Sequence, residues 1–515
     1  MTTSGFFAVL ISFGILSLSS VSASAADRLI VAPQTLRSDE ATFVWNKHGK
    51  PNDSVAYEVL CDGQSLGTTS KTHFTATHLA PDHLYQLTVV SRLTGDGLII
   101  CNEGMSVLTP AKEPVVSVLD HGAVGDGKTL NTKALQSAIN ACPKGGVVLI
   151  PKGVFLSGAL TLKSDMTLLI AKDGVLKGTA NPKDYLPFNR NRFEGWEMET
   201  YASLLNAGTL DHAGPANIRN LSIRGEGTLS GGGKKLYDAT MALYPKKVDG
   251  LRARGRLILL MNAENVEISG LTIEESPCWT LHYIYSENVS IHGLTIRSNV
   301  HNGDGIDPDS SKNSYIFDTT FDTGDDCIAI KSGKNPEGNA INRPTENVRI
   351  FDCRFTQGHG ISIGSEMSGG VRNVLVEDCI AGPLLHGLQI KATPERGGFV
   401  ENVTVRDCSL RQITVYTQLP YNNDGQAAPA QPFFKNFRFE NIDLTQADAA
   451  KPVIIVNGFP AEGRETRDVT FTGIKLPAGA KVQIDRCADV TFFNITTAGN
   501  SPPSYEITRS RNVSR

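Results

Sequence analysis

Short apolar and polar runs of strand length alternate in the first part of the chain. Between about residues 27 and 110, Trp45 lies in an early run, the next run extends from Tyr57 to Leu60, and an Asp62-Gly63 turn follows it. Runs of this length between turn residues are typical of an all-β sandwich. The pattern therefore predicts a small β-sandwich at residues 27–112, joined at residues 109–114 to the rest of the chain.

A different pattern, a recurring short strand that begins with Asn-Val, occupies much of the remaining segment, 113–515. Clear copies begin at Asn265, Asn288, Asn347, Asn373 and Asn402, and weaker ones at Asn313 and Asn436. Their intervals of roughly 23 to 34 residues lie in the range of a solenoid coil. Each coil can bury its apolar face only against the next one. The pattern predicts an all-β fold: a right-handed parallel β-helix preceded by the small sandwich.

Asparagine and cysteine recur at matching places in these repeats. The Asn residues are interpreted as turn residues rather than glycan sites. Cys353, Cys379 and Cys408 each follow an Asp, which predicts a buried ladder of thiols rather than metal ligands or nucleophiles. A disulfide between Cys61 and Cys101 stays open.

One helix is predicted before the repeats. Residues 134–142 have helical apolar spacing, and Asn131 or Thr132 can cap them. The Gly-rich turn at 121–127 lacks the preceding strand and the Lys-Ser or Lys-Thr of a phosphate-binding loop. We therefore interpret it as a turn and not as a nucleotide site.

Composition and charge narrow the classes of partner. The 515 residues are 40% hydrophobic and 20% charged, which is typical of a folded protein. With a net charge of −4, the chain has no overall basic field that would indicate nucleic acid or an anionic membrane as partner, and neither is expected. A polyanionic substrate would need a local cluster of cations. We expect a monomer.

The N-terminus predicts export. An apolar run at residues 6–18 is followed by small residues up to Ala26, as in a signal peptide with its cleavage region. The run is too short to span a bilayer, and no later segment approaches that length. We expect residues 1–26 to be removed and the product to be periplasmic or extracellular.

Three carboxylates stand out among the repeats. Asp304 and Asp326 are 22 residues apart, close to one coil, and Asp325 is adjacent. Side chains on neighbouring coils lie about 5 Å apart. Because clustered carboxylates repel one another, at least one should have a raised pKa and keep its proton, as a general acid requires.

His359 and Lys391 extend this pattern. His359 comes 33 residues after Asp326, and Lys391 comes 32 residues after His359. If each interval is one coil with a surface insertion, these side chains form a row parallel to the helix axis. Such a row predicts a groove for a linear polymer.

These residues belong to four motifs that resemble, in the same order, the signature of the polygalacturonases, glycoside hydrolase family 28. The motifs are Asn302-Gly303-Asp304, Gly324-Asp325-Asp326, Gly358-His359-Gly360 and Ile390-Lys391. Residues 122–153 and 276–282 also resemble the family. The first domain resembles a fibronectin type III module, whose corner tyrosine would be Tyr85. Together with the long segment 189–250, it makes the chain most similar to bacterial exopolygalacturonases, in which added loops close one end of the groove.

The resemblance implies a mechanism. Asp326 would protonate the leaving oxygen, and Asp304 with Asp325 would hold and deprotonate the attacking water. His359 would support the acid or the substrate. The expected reaction is inverting hydrolysis of α-1,4-galacturonosidic bonds in galacturonan, with release of galacturonate or digalacturonate from a chain end and with no cofactor or metal.

The same resemblance implies substrate contacts. Lys391 would pair with a galacturonate carboxylate, and the other candidates for substrate binding are Asn302, Lys331, Arg396, Gln389 and Tyr421, with Tyr416 as a second candidate for an aromatic wall. Gln389 stands where the family usually has Arg. An amide cannot form the charge-assisted pair of a guanidinium. Either a cation such as Arg396 compensates, or the sugar beside the scissile bond is not a plain galacturonate.

Three alternatives remain. A hydrolase of rhamnogalacturonan or xylogalacturonan would explain Gln389. A calcium-dependent pectate lyase could use the acidic cluster as oxygen ligands, although the His and Lys match hydrolase positions. A non-catalytic carbohydrate-binding solenoid would keep the coils but does not need three clustered acids.

Overall fold

The computed structural model describes residues 29–50, 53–244, 251–252, 254–417, 425–499 and 501–515. The predicted signal peptide and Tyr421 lie outside the described residues. Within these ranges no helix is long and apolar enough to cross a membrane.

The first domain is a small β-sandwich, as predicted. Its strands are Ile30–Val31, Glu40–Val44 and His73–Thr77 in one antiparallel sheet, and Gln64–Thr69, Val55–Cys61, Leu84–Leu93 and Ile99–Leu108 in the other. Trp45 and Tyr57 are in the core between them. The Tyr85 hydroxyl accepts a hydrogen bond from the Ala80 backbone N–H at 2.8 Å, the contact expected of a corner tyrosine. The fibronectin type III assignment itself stays a prediction.

The disulfide between Cys61 and Cys101, which the sequence left open, is not formed. Both thiols are free. Cys61 lies opposite Leu87 and Cys101 lies opposite Ser91 on the strand between them, so about 13 Å of strand separates the two positions.

From Val115 onward the chain coils into a parallel β-helix with three long parallel sheets, named here sheets I, II and III. Sheet I contains Val115–Ser117, Gly146–Ile150, Met166–Ile170, Ile218–Arg224, Ala263–Ser269, Glu287–His292, Lys312–Phe317, Thr345–Phe351, Val371–Glu377, Phe399–Arg406, Phe433–Glu440, Thr466–Thr472, Cys487–Phe493 and Arg511–Ser514. Sheet II contains Asp126–Leu130, Gly153–Ser157, Gly174–Gly178, Thr228–Ser230, Thr272–Glu274, Thr295–Ser298, Thr320–Thr323, Arg354–Gln357 and Ile380–Ala381. Sheet III contains Leu160–Leu162, Leu205–Ala207, Ile258–Met261, Leu281–Ile284, Ile306–Asp309, Ile328–Ile330, Ile361–Ile363, Leu388–Ala392, Ile413–Thr417, Pro452–Asn457, Lys481–Asp485 and Ser504–Thr508.

Smaller elements complete the described chain. A separate sheet pairs Asn189–Phe193, Trp196–Thr200 and Leu251–Arg252, and a last pair joins Lys475–Leu476 to Thr496–Thr497. The α-helices are Thr132–Ala141, Gly233–Leu243 and Glu337–Ile341, and the 3₁₀ helices are Val118–His121, Pro182–Tyr185 and Pro394–Arg396. The first α-helix begins and ends close to the predicted one.

Identical residue types stack from coil to coil. Val266 lies directly opposite Val289 in sheet I, and the buried Ile, Leu, Val and Phe side chains form one continuous core along the axis. Cys353, Cys379 and Cys408 are all buried and free, which confirms the thiol ladder. A parallel helix therefore adds core with every coil, which is how a chain of this length stays one body.

The repeat asparagines form a second ladder. From Asn265 to Asn436 each amide nitrogen donates to the side-chain oxygen of the asparagine one coil earlier, at 2.7 to 3.3 Å. Their φ angles are positive, near 57°, a conformation that Asn tolerates better than most residues. This confirms their interpretation as turn residues.

The sandwich packs on sheet I. Ala32 and Val44 contact Phe317 and Phe351 in a buried apolar patch. Lys47 of the sandwich forms ion pairs with Asp378 at 2.7 Å and with Asp407 at 2.8 Å, both in the β-helix. The predicted catalytic residues lie along sheet III, so the module and the candidate site use different sheets.

Candidate active site

Asp304, Asp326 and His359 lie side by side on consecutive coils. Ile306 is directly opposite Ile328, and Ile328 is opposite Ile361, so each of the three residues precedes its sheet III strand by the same two positions. The spacings of 22 and 33 residues are therefore one coil each, as predicted.

Lys391 is not in line with them. Ile361 pairs with Leu388, so the position level with His359 on the next coil is His386 and Lys391 lies five residues further along the strand. Its long side chain nevertheless reaches back, and Lys391 Nζ is 3.6 Å from Asp326 Oδ2. The predicted straight row is corrected to three residues in line and one cation that reaches in from the side.

His359 joins two of the carboxylates. Its Nδ1 is 3.1 Å from Asp325 Oδ1 and 3.6 Å from Asp326 Oδ1. Hydrogen bonding to Asp325, and then to Asp326, raises the pKa of His359 to about 9. The three residues place possible ligand atoms within 4.8 Å of one another, but an imidazolium has no lone pair for a metal ion. We therefore interpret the group as an ion-pair cluster.

Asp326 is held in its charged form. Burial alone would raise the pKa of its carboxyl, but Lys391, His359, Lys331 and a hydrogen bond from Ser362 together lower it. The Ser362 hydroxyl donates to Asp326 Oδ1 at 2.7 Å. The ligand-free site therefore favours the Asp326 carboxylate.

Asp304 has the opposite environment. Burial, followed by the charges of Asp307 and Asp325, raises its pKa well above the usual value. Burial also raises the pKa of Asp307 to about 7, against the opposing effect of Lys331. Asp304 Oδ1 and both carboxylate oxygens of Asp307 have no hydrogen-bond partner among the described residues. These two side chains are thus the ones that keep a proton near neutral pH.

The expectation of a raised pKa in the cluster is confirmed at Asp304 and Asp307, but Asp326 is not the residue that shows it. Electrostatics of the free site place the proton on Asp304 and the negative charge on Asp326. This is the reverse of what the assigned roles require of the two residues at the start of the reaction. Which carboxyl acts as the acid therefore stays a prediction.

Two cations predicted to bind substrate are buried. Lys331 Nζ lies 3.6 Å from Asp304 and from Asp307, and 3.5 Å from Glu366. Arg396 is 0% exposed, and it donates to Ser365 O at 3.0 Å. Arg396 is fully enclosed and supports the backbone, so its prediction as a direct substrate contact is corrected. Lys331 compensates buried carboxylates and is about as exposed as Asp304 and Asp326, so its contact with the substrate stays a prediction.

Gln389 is also tied to the protein. It is 2% exposed, its amide nitrogen donates to Ser362 Oγ at 3.4 Å, and its oxygen accepts from the Tyr416 hydroxyl at 3.1 Å. Tyr416 therefore lies beside the site. Tyr421, the other candidate for an aromatic wall, lies outside the described residues.

Three residues of the site were not predicted. Trp279 is level with Asp304 on the preceding coil, since Leu281 pairs with Ile306. Phe193 stacks on Trp279 with ring centroids 5.0 Å apart. Trp279 belongs to residues 276–282, which resemble the family, so the sequence offered a signal for it as a site residue. Phe193 belongs to an inserted hairpin, and no sequence signal connects it to Trp279.

Arg254 is the third of these residues, and it holds Asn302. Its guanidinium donates to Asn302 Oδ1 and to His301 O, both at 2.8 Å, and packs over the Tyr237 ring at 5.2 Å. Among the described residues, these partners are a side-chain amide, a backbone carbonyl and aromatic rings, with no carboxylate among them, and the Arg254 side chain is half-buried. A cation with only neutral partners beside the catalytic cluster can receive an anionic group.

The inserted hairpin, Asn189–Phe193 and Trp196–Thr200, covers one side of the site. Arg192 forms a buried ion pair of 2.7 Å with Asp309, the last residue of a sheet III strand. Trp196 Nε1 donates to Asn335 O at 3.0 Å on the loop after the Lys331 strand. The Phe193–Trp279 stack lies on the coil before Asp304, whereas Arg192 and Trp196 attach the hairpin to the coils of Asp304 and Asp326, beyond their sheet III strands.

Comparisons with known proteins agree with this arrangement. The sequence profile of the glycosyl hydrolases of family 28 matches residues 145–499. An exo-poly-alpha-D-galacturonosidase of Dickeya chrysanthemi is 30% identical over 77% of this chain and 74% of its own length. An endo-polygalacturonase of Pectobacterium carotovorum subsp. carotovorum is 30% identical over 68% of this chain and 86% of its own. The structure of a family 28 exopolygalacturonase of Yersinia enterocolitica superposes with a TM-score of 0.86 at 27% identity, covering 95% of this chain and 99% of that one.

Proposed function

Because the chain belongs to the glycosyl hydrolases of family 28, we propose that it hydrolyses α-1,4-galacturonosidic bonds of polygalacturonate, removing sugars from a chain end with inversion at the anomeric carbon. The observation that carries the proposal is the alignment of Asp304, Asp326 and His359 on consecutive coils, with Asp325 adjacent and Lys391 reaching in. Acid and base catalysis by paired carboxyl groups is the general route for this bond.

Substrate binding resolves the reversed charges in this proposal. A galacturonate carboxylate that pairs with Lys391 competes for the cation that lies 3.6 Å from Asp326 Oδ2. Weakening that ion pair raises the pKa of Asp326, because the ion pair favours its charged form. Asp326 then takes up the proton that it delivers to the leaving oxygen. The carboxyl of Asp304 loses a proton in exchange and, with Asp325, activates the water.

Exo action is supported by the hairpin and by two relatives. The hairpin that stacks Phe193 on Trp279, on the coil before Asp304, limits how far a polymer extends past that coil. The Dickeya protein is named an exo-poly-alpha-D-galacturonosidase, and the Yersinia structure is that of an exopolygalacturonase. A groove closed on one side accepts a chain end and not the middle of a chain.

A second candidate substrate is a branched pectin, such as xylogalacturonan or rhamnogalacturonan. The observation in its favour is Gln389, which is neutral and already bonded to Ser362 and Tyr416. The subsite beside Lys391 therefore offers one cation where the family usually has two.

Export is proposed from residues 6–26 alone. Mass spectrometry of the mature protein tests it, and a first residue close to Asp27 is the expected result. An N-terminus that still includes the apolar run contradicts it.

The proposed activity is tested by incubating the purified protein with polygalacturonate in excess chelator. Saturated mono- or digalacturonate present from the first time points is the expected result, and NMR of the new anomeric centre reports inversion. A ladder of saturated oligomers means endo action. Unsaturated products that vanish with chelator overturn hydrolysis, and activity on xylogalacturonan alone favours the second candidate.

A further inference from the structure

A chain of hydrogen bonds leads to the carboxylate of Asp326. Tyr416 O–H donates to Gln389 Oε1 at 3.1 Å, and Gln389 Nε2–H donates to Ser362 Oγ at 3.4 Å. Ser362 O–H then donates to Asp326 Oδ1 at 2.7 Å. The chain crosses neighbouring coils of sheet III, where Ser362 lies directly opposite Gln389.

Every donor in this chain points toward Asp326. An ionised carboxylate only accepts, so the Ser362 hydroxyl donates its one proton to Asp326 and is left to accept from Gln389. The amide oxygen of Gln389 is occupied by the Tyr416 hydroxyl, which leaves its N–H₂ for Ser362. Successive hydrogen bonds of one direction strengthen each other in a site of low dielectric constant.

The part of this hydrogen-bond chain closest to Asp326 is buried. Ser362, Gln389 and Asp326 are each less than 5% exposed. Tyr416, at the outer end, is half-buried, so the loss of a donor at Ser362 or Gln389, inside the protein, is the loss that should act most on Asp326.

We propose that Ser362, Gln389 and Tyr416 are positioning residues for Asp326, and that Gln389 acts through Ser362 instead of binding a sugar carboxylate. They hold Asp326 Oδ1 and leave Oδ2 to Lys391 and to the reacting sugar. As Asp326 gives up its proton in the transition state, the aligned donors stabilise the carboxylate that forms. The catalytic consequence rests on the proposed function, in which Asp326 protonates the leaving oxygen.

The kinetic test compares Ser362→Ala with Ser362→Thr, which keeps the hydroxyl. The rate falls as pH rises above the pKa of the general acid, so the alkaline limb of the kcat profile reports that pKa in the complex. Ser362→Ala removes a donor to the charged form and should move this limb up by about one pH unit, with kcat about tenfold lower. Ser362→Thr should restore both values.

Gln389→Leu and Tyr416→Phe should move the same limb in the same direction by progressively smaller amounts, with KM nearly unchanged. If Gln389 binds substrate instead, Gln389→Leu raises KM and leaves the limb in place, which overturns the proposal. A fall in kcat with no movement of the limb in any variant also overturns it, because purely structural damage has that signature.

A double-mutant cycle tests the chain without using activity. Removal of Ser362 Oγ should lower the thermal midpoint at pH 7 in the wild type but much less in the Asp326→Asn background, because the charged acceptor is then gone. Equal losses in both backgrounds contradict the chain. If the wild type fails to hydrolyse pectic substrates while this coupling is present, the proposed function fails and the hydrogen-bond chain stands.

Discussion

Sheets I and III each bury a carboxylate, and the two environments are opposite. In sheet I, Glu377 accepts from Arg349 on one oxygen and from Arg406 on the other, at 2.6 to 2.8 Å. In sheet III, neither carboxyl oxygen of Asp307 has a hydrogen-bond partner among the described residues. Oδ1 of the neighbouring Asp304 also lacks one.

The difference appears in the protonation of each group. Despite burial, Arg349 and Arg406 lower the pKa of Glu377, whereas burial raises the pKa of Asp304 and Asp307. A fully paired carboxylate contributes to stability and stays charged. An underpaired carboxylate costs stability but can exchange protons near neutral pH, and such groups are expected where chemistry occurs. The paired cluster also supports the face on which the sandwich docks, since Arg349 donates to Trp45 O at 3.0 Å.

The largest expected effect is loss of activity in the underpaired cluster. Asp326→Asn and Asp304→Asn should each lower kcat by about 10² to 10⁴-fold, the range for loss of a general acid or base. Because the Asp304 carboxyl is already protonated in the free site, a neutral amide changes its charge little, and Asp304→Asn should leave the thermal midpoint close to that of the wild type.

Substrates with an activated leaving group show, in the same assay, which of Asp304 and Asp326 is the general acid and which is the base. Such a group departs without protonation, so it should rescue the variant that lacks the acid and not the one that lacks the base. Rescue of Asp326→Asn supports the assigned roles. Rescue of Asp304→Asn alone shows that they are exchanged.

The converse effect is expected in the paired cluster. Glu377→Gln leaves Arg349 and Arg406 without their shared carboxylate and should cost about 3 kcal/mol in the free energy of unfolding, as for other broken buried ion pairs. The kcat should stay within twofold of the wild type, because sheet III is untouched. Chemical denaturation measures the first quantity. A loss of activity without a loss of stability contradicts the contrast between the sheets.

A smaller effect is expected at Arg254, where the groove offers a cation without a carboxylate partner in the described chain. Arg254→Ala should raise KM for polygalacturonate about tenfold, the loss of one charge-assisted hydrogen bond. Arg254→Lys should restore part of the affinity. An unchanged KM in Arg254→Ala, with a lower kcat, indicates that the residue only positions Asn302.

The smallest expected effect is a pH-dependent contribution of His359 to stability. The folded-state pKa of His359 is raised to about 9, so its contribution to stability is complete below its unfolded value of about 6.5 and is lost as pH rises through about 9. Relative to the wild type, His359→Gln should lose about 1 kcal/mol at pH 6, allowing for partial exposure, and almost nothing at pH 10. A difference that does not change with pH contradicts the ion pairs with Asp325 and Asp326. Thermal unfolding across this range measures it.

Much of the fold could be predicted because the repeats are regular. Asn288, Asn347 and Asn373 recur at coil intervals, and each needs only the same position of the next coil to form its ladder. The spacing of Asp304, Asp326 and His359 predicted neighbouring positions for the same reason. The prediction of a straight row failed where the chain departs from that regularity, since Lys391 is five positions out of line. The open question of a Cys61–Cys101 disulfide also needed the structure, because the two residues are separated along one antiparallel sheet.

The sequence by itself determined the sandwich, the β-helix and the four ordered motifs, because these depend on local periodicity and on equal coil lengths. Only the tertiary structure decided the charge state of the site. The pKa of a carboxyl depends on burial and on cations from distant parts of the chain, so Lys331 became a buried compensator and Asp304 the protonated acid in the free site. It also decided that an inserted hairpin places Phe193 on Trp279, and that Gln389 serves Ser362, since such contacts join segments whose spacing has no period.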